Sequence, residues 1–358
     1  LPQQLPPLVP TPTEIIIPAA TPMPVSTTTV EDTLPQPEPV ALVETNLAPV
    51  TDQVTLRGVS HQWQTWNNCG PATVTMNMSY FDRPETQVEA AKFLKPNKND
   101  KNVSPHELAQ FARTTGLEAI VKQGGTIDQL KLFLSNGLPV LVETWLLHNG
   151  DSLGHYRLIT GFDDAAEQFT TYDSLNGPSH TVSYSQLEKD WRVFNRLYIV
   201  VYPAEQTDVV TSIIGPDMDD TGLYKRLVRE AQAEIEANPQ DAIAHFNLGE
   251  ALTRLSQYDA AVTAFDQARR LGLHWRRLWY QFTPFEAYYA VGRYQDVLDL
   301  AEATLEGTGG LEEAYYYQGM ALHATGQPGA PAAFEAAITH NNNFEAARIA
   351  LNSISTQK

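Results

Sequence analysis

The spacing of apolar positions divides the chain into three stretches. Over residues 1–50 they recur with neither the 3.6-residue period of a helix nor the alternation of a strand, so no element is predicted there. From Arg57 onward short periodic segments begin. A helix is predicted over Cys69 to Phe81, with Asn67 and Asn68 as capping candidates and Pro71 in the first turn, where a missing N–H is harmless. Ser104-Pro105-His106-Glu107 reads as a capping box, and Gly116 ends the helix it opens. Thr126 can cap a third helix ending near Gly137. Apolar, β-branched runs follow at Leu138 to Trp145, His155 to Phe162, Phe169 to Asp173 and Arg196 to Tyr202, with turns at Asn149-Gly150 and Asn176-Gly177. Helices followed by mainly antiparallel strands predict an α+β unit over residues 57–205.

Beyond Asp217 the texture becomes Ala-rich and helical, with a repeat near 34 residues: Tyr224, Tyr258 and Tyr294 are spaced by 34 and 36. Leu248-Gly249, Leu252, Tyr258, Ala261, Phe265 and Ala268 supply alternating small and large positions of a packed helix pair. This stretch, residues 217–355, resembles tetratricopeptide repeats. The resemblance implies an all-α domain of three helix pairs with flanking half-units, the weaker copies lying at 278–311 and 312–344. Asn238-Pro239 closes an earlier helix where such a repeat carries Pro.

Composition sharpens the first stretch. Residues 1–50 hold 12 of the 24 prolines and no Trp, Tyr or Phe, which predicts a solvated, disordered Pro/Thr-rich tether over residues 1–56. The chain opens on Leu1 rather than Met, so a signal or membrane anchor is expected upstream and an extracytoplasmic or cell-surface location in a bacterium is the expectation, although a cytosolic linker would read the same way. With 42 acidic against 24 basic residues the net charge is −18, which removes the cation cluster that a nucleic-acid binder needs. No apolar run reaches the roughly 18 residues of a membrane span. The nine histidines make no HExxH pair and the single cysteine makes no CxxC site, so neither metal nor cofactor is expected. Asp163-Asp164 and Asp217 to Asp220 read as solvated acidic turns, lacking the ligand series of a calcium loop.

Cys69 is therefore either packing or chemistry. A thiol acts as a nucleophile only as thiolate, and its ordinary pKa of about 8.5 leaves little of that form at neutral pH. At a helix N-terminus the uncapped N–H groups and the positive dipole end favour the anion, and an imidazolium alongside favours it further. Gly70 would let a substrate backbone approach the sulfur. His155 opens an apolar strand that holds its ring rigidly, whereas His148 and His180 sit on a polar turn and a Pro/Ser loop. Asp173, ending the next strand, is placed to accept the other ring N–H, or equally to bond its own turn at Ser174 to Gly177. Tyr315, Tyr316 and Tyr317, with Trp275 and Trp279, are more easily read as packing between helices than as a peptide groove.

The segment Gln64 to Ala72, Gly154-His155 and Tyr172-Asp173 together resemble the papain-like cysteine peptidases of the double-glycine, bacteriocin-leader-processing family, over about residues 57–203. The resemblance implies a papain-like fold with Cys69 as nucleophile, His155 as general base and acid, Asp173 as orienting carboxylate and Gln64 as oxyanion donor. Two departures stand out. The family glutamine usually lies six residues before the cysteine, whereas here Gln64 lies five and Gln62 seven before it. The transporter segments of leader-processing members are missing from this chain, so a double-glycine substrate does not follow. The expectation is a cysteine peptidase acting on a peptide or protein, with a protein partner or substrate recruited by the repeats. Its rivals are a catalytically inactive peptide-binding module on a repeat scaffold, and acyl transfer through the same residues.

Overall fold

A computed structural model describes residues 47–97, 100–148 and 151–355, apart from the side chains of His148 and Trp275. Most of the expected tether, and the Asn149-Gly150 turn, lie outside the described residues. The first part is built from strands β1 (Gln53–Thr55), β2 (Glu118–Lys122), β3 (Val140–His148), β4 (Asp151–Asp163), β5 (Gln168–Asp173), β6 (Gly177–Ser183) and β7 (Tyr198–Tyr202). Its helices are α1 (Cys69–Ser79), α2 (Gln87–Leu94), α3 (Pro105–Thr114), α4 (Ile127–Ser135), α5 (Tyr184–Trp191) and α6 (Thr207–Ile214).

All strand pairings are antiparallel, in the order β2-β7-β3-β4-β5-β6, and β1 adds to the far end of β4. The expected α+β architecture with an antiparallel sheet is what forms. The linker boundary at residue 56 needs correction, because Val54 pairs with Phe162 and extends the sheet: a three-residue strand is too short to show a period in sequence. Strands β2 and β6 were also unread; β6 begins Gly-Pro-Ser-His and takes its place by pairing with β5 rather than by propensity.

Helix α1 is buried from Gly70 to Met78 and packs on β4, with Thr73, Thr75 and Asn77 hydrogen-bonded to backbone carbonyls inside the core. One core lies on its side of the sheet, with Val74, Met76, Leu141, Leu158 and Ile199. The other face of the sheet is covered by α4, α5 and α6 through Phe133, Trp191, Val142, Tyr198 and Val210. The capping boxes of α2 and α3 form as their sequences dictate, at Thr86/Glu89 and Ser104/Glu107.

Eight helices follow: α7 (Asp220–Ala237), α8 (Ala242–Arg254), α9 (Tyr258–Arg270), α10 (Thr283–Ala290), α11 (Tyr294–Thr308), α12 (Glu312–Ala324), α13 (Ala330–His340) and α14 (Glu345–Ser355). Helices α8/α9, α10/α11 and α12/α13 pair as neighbours, with α7 and α14 flanking them. A Cβ on Gly249 would stand 2.6 Å from the Phe265 ring, and one on Gly319 would stand 2.7 Å from Phe334. The same small-against-large contact therefore recurs two helix pairs apart.

This helical array is bound to the first part through polar contacts. Arg192 meets Glu234 at 2.5 Å and Asp241 at 2.9 Å, Lys122 meets Asp220 at 2.6 Å, and Asn341 donates to Glu107 at 3.1 Å. The turn around Trp275–Trp279 reaches β4: Arg276 donates to the Ser152 carbonyl at 3.2 Å, and buried Arg277 donates to the carbonyl of Val193. Among the described residues no helix is long and apolar enough to cross a membrane.

Candidate active site

Cys69 is the first residue of α1. Asn68 precedes it at the N-cap without capping through its side chain; its Nδ2 donates to Thr65 Oγ1 at 2.7 Å. Neither asparagine is thus the cap expected from sequence, and the first N–H groups of α1 stay uncommitted to a cap. Lys95 fixes the approach to the helix, donating through Nζ to the carbonyl of Asn67 at 2.8 Å. Asn67 itself stands at φ 54°, the left-handed region that Asn tolerates better than most residues. Cys69 as a residue is half-buried, whereas His155 and Asp173 are fully buried.

The His155 ring is spanned between two groups. Its Nε2 lies 2.9 Å from Asp173 Oδ1. Its Nδ1 is buried and has no hydrogen-bond partner among the described residues, while the Cys69 side chain acts on the ring. Such looseness is usual in an unliganded nucleophile–base pair. Burial pushes the Cys69 thiol up, but the hydrogen bond and charge of His155, a backbone hydrogen bond from Tyr156 and the charge of Lys95 outweigh it and leave it below its ordinary value. Burial pulls His155 down, yet Asp173 and then Cys69 outweigh it and raise the ring to about 9. Burial likewise opposes the charge of Asp173, and the His155 hydrogen bond and charge hold it well below the usual carboxylate range. The arrangement favours thiolate facing imidazolium.

Both sequence readings of Asp173 hold together. Its Oδ1 also accepts the N–H groups of Leu175 at 2.8 Å and Asn176 at 3.0 Å, closing the turn, while Oδ2 accepts from Asn176 Nδ2 at 3.0 Å. Arg157, buried beside it, brings its Nε to 3.2 Å of Oδ2. Arg157 escaped the sequence reading, although its place two residues after His155 on the same strand was the available signal. His61 was missed as well: its Nε2 lies 2.9 Å from the Asp173 carbonyl, and no spacing rule would have found it.

The two glutamines divide cleanly. Gln62 spends both ends of its amide on scaffolding, accepting from Gln87 N at 2.9 Å and donating to Thr75 Oγ1 at 3.0 Å. Gln64 is tied to the residue after Asp173: its N–H donates to the Ser174 carbonyl at 3.0 Å and its Oε1 accepts from Ser174 Oγ at 2.7 Å, turning the Nε2 end away from that bond. Trp63 and Trp66, 60% and 72% exposed, stand on either side of it in the chain. Gly70 needs correction. It is buried, and a Cβ there would meet Leu108 at 3.3 Å and Val103 at 3.4 Å, so its smallness serves packing of α1 on α3 rather than access to sulfur. His180 lies on β6, paired with Thr171, and takes no part. Among the described residues no group of three or more His, Cys, Asp or Glu is placed to hold a metal.

Residues 53–199 match the Peptidase_C39 like family. The match takes in Cys69, His155 and Asp173 on α1, β4 and β5 and spans most of the α+β part of the chain, and the helical array lies outside it. Solved structures similar to the chain include a C39-like peptidase from Bacillus anthracis, at 16% identity and a TM-score of 0.35 over 42% of this chain and 98% of that one. The peptidase domain of Streptococcus ComA, a bifunctional ABC transporter of a quorum-sensing pathway, aligns at 16% identity and 0.35 over 41% and 99%. A double-glycine-motif protease from an AMS/PCAT transporter, solved in complex with its leader peptide, aligns at 17% identity and 0.31 over 42% and 99%. No curated protein matches the chain.

Proposed function

We propose that the chain is a cysteine peptidase whose C39-like segment cleaves a peptide or protein substrate. The observation that carries this reading is the His155 ring held by Asp173 on Nε2, with Nδ1 unpartnered among the described residues and Cys69 acting on the same ring. The Cys69 thiolate attacks the scissile carbonyl carbon, and the carbonyl oxygen becomes an oxyanion received by the Cys69 N–H and the Nε2 of Gln64. Protonated Nδ1 gives its proton to the departing amine as the C–N bond breaks, leaving a thioester. Water then attacks the thioester while Nδ1 takes its proton, and the acid departs as the thiol re-forms. Asp173 stays ionised on Nε2 and fixes the ring. Exposed Trp63 and Trp66 offer flat apolar surface to an extended substrate.

In the same reading the helical array is a tetratricopeptide-type scaffold that recruits a substrate protein or partner, supported by the recurring Gly249/Phe265 and Gly319/Phe334 contacts.

The test is the pH dependence of Cys69 alkylation by iodoacetamide. The rate constant should fall off at a lower pH than that of an ordinary thiol, and His155→Ala should restore the ordinary profile, falling about tenfold per pH unit below about 8.5. Hydrolysis by the wild type should decline as pH rises through about 9, where His155 loses the proton it gives the leaving amine. An ordinary-thiol profile in the wild type would refute the ion pair, and an ion pair without cleavage of any peptide in a proteome-derived library would leave a binding module.

A further inference from the structure

Between the C39-like segment and the helical array lies an open cavity of about 740 Å³. The segment contributes Glu143 of β3, and the array contributes Glu250 of α8 and Glu313 of α12. These three carboxyls are 3%, 4% and 9% exposed. Oε2 of Glu250 and Oε2 of Glu313 have no partner in hydrogen-bond geometry among the described residues, although the amides of Gln123 and Asn195 act on Glu250 and Asn102 donates to the other oxygen of Glu313 at 3.3 Å. Leaving a carboxylate oxygen buried and unanswered is costly, so such atoms mark a place built for something that arrives.

Burial holds the three acids towards their protonated form, so an arriving cation is what would let them ionise. Two other acids of its wall are already answered, Asp220 by Lys122 at 2.6 Å and Glu286 by Arg254 at 3.6 Å. Arg277 lies behind the wall, with Nε on Gln281 at 2.8 Å, a second nitrogen on the Val193 carbonyl and its guanidinium 4.1 Å from the centre of the Phe246 ring. His106 also lines the space, with burial and the charges of Arg254 and Arg113 holding its ring towards the neutral form. Three buried acids therefore remain against one committed guanidinium. The rest of the wall is aromatic, with Tyr224, Tyr280, Tyr316 and Tyr317 offering π faces that attract organic cations. A bare metal ion fits poorly, because the carboxyls do not converge as a ligand set.

Cys69 does not line the cavity, but the wall runs along the strands next to His155. Glu143 is the strand partner of Tyr156, and the next pair along is Thr144 with His155. Tyr280 packs on Gly154, where a Cβ would stand 3.0 Å from its ring. The Cys69 charge acts on both Glu143 and Tyr280.

We infer that this cavity is the subsite for a basic side chain, lysine or arginine, of the peptide presented to Cys69, and that its selectivity is made jointly by the peptidase segment and the helices. The inference rests on the peptidase reading for its link to the thiol, but the cation site itself does not.

The experiment is isothermal titration of the full-length Cys69→Ala protein with Nα-acetyl-lysine methylamide, its arginine analogue and the uncharged norleucine analogue. The basic compounds should bind at least tenfold more tightly than norleucine, and Glu250→Gln should bring all three within about twofold. Glu313→Gln supplies a second variant should Glu250→Gln not fold. Equal binding of lysine and norleucine compounds overturns the inference, as does binding of spermidine without binding of either basic amino-acid compound. A lysine preference together with an ordinary-thiol alkylation profile in the parent protein would keep the cation site and remove its link to catalysis.

Discussion

Two groups of buried charge in this molecule use the same side-chain chemistry with opposite results. At the thiol, Asp173 is surrounded by donors and cations: His155, the Leu175 and Asn176 N–H groups, the Asn176 amide and Arg157. At the seam with the helical array, Asp100, Glu107, Glu312 and Glu313 are gathered with chiefly amides to answer them, Asn102 donating to Glu313 at 3.3 Å and Asn341 to Glu312 at 2.9 Å. Burial opposes the charge in both places. Donors and cations reverse it for Asp173, while at the seam burial, reinforced by neighbouring carboxylates, raises Asp100, Glu313 and Glu312, the last to about 7. What surrounds a buried carboxyl, rather than burial itself, decides whether it is a fixed anion or a group that titrates near neutrality.

The contrast can be broken most severely at Asp173. Asp173→Ala leaves His155 and Arg157 buried without their partner, and the expected loss is about 3–5 kcal/mol at pH 7 by urea unfolding, together with a return of the alkylation profile towards that of an ordinary thiol. Because the Asp173 carboxyl is held below its unfolded value, its contribution is present above about pH 4 and fades as pH falls further. The variant's deficit should therefore shrink in acid, and a deficit independent of pH would refute this.

Next in size is a packing change that involves no charge. Gly249→Ala drives a methyl group into the Phe265 ring and should cost about 1–3 kcal/mol, with Phe265→Leu in the same chain recovering part of it. Thermal unfolding of the single and double variants reads the coupling. Simple additivity would show that the helix pair yields without using this contact.

A comparable or slightly smaller effect is expected at the seam, where its sign is opposite to that of Asp173. A carboxyl raised in the folded state favours folding below its unfolded pKa, and that advantage is lost as pH rises through the folded value. For Glu312 the window runs from about pH 4 to about pH 7. Glu312→Gln keeps an acceptor for Asn341 and removes the proton, so it should gain on the order of 2 kcal/mol over wild type at pH 8 and nothing at pH 4. Equal unfolding midpoints at both pH values would mean that the seam relaxes in solution. The smallest effect is reserved for the exposed pair Glu345 and Arg348, 2.5 Å apart, where Glu345→Ala should fall within about 0.5 kcal/mol of wild type.

The same contrast separates what the sequence disclosed from what it withheld. Helix starts were legible where the signal is local: Ser104, Thr126 and Ser183 each accept an N–H three residues on, and the first two stood out as caps. Strands β3, β4, β5 and β7 were legible as β-branched or aromatic runs. The triad candidates were legible because Cys69 starts an element, Asp173 ends one and His155 follows a glycine in an apolar run, although β4 begins four residues earlier, at Asp151, than the sequence suggested. The seam was not. Asp100 and Glu313 are 213 positions apart and neither belongs to a motif; only the docking of α12 near the residues following α2 makes them neighbours. Gly70 was misread for the same reason, since the atoms that require its smallness lie on α3 and the loop before it.

Strand β4 is continuous from Ser152 and Gly154, which the helical array grips through Arg276 and Tyr280, to His155 one residue on. A chimera that exchanged the helices for another scaffold would thus change the packing on Gly154, beside His155, as well as the helices themselves. Substitutions confined to the array at this contact would, for the same reason, be felt at the imidazole.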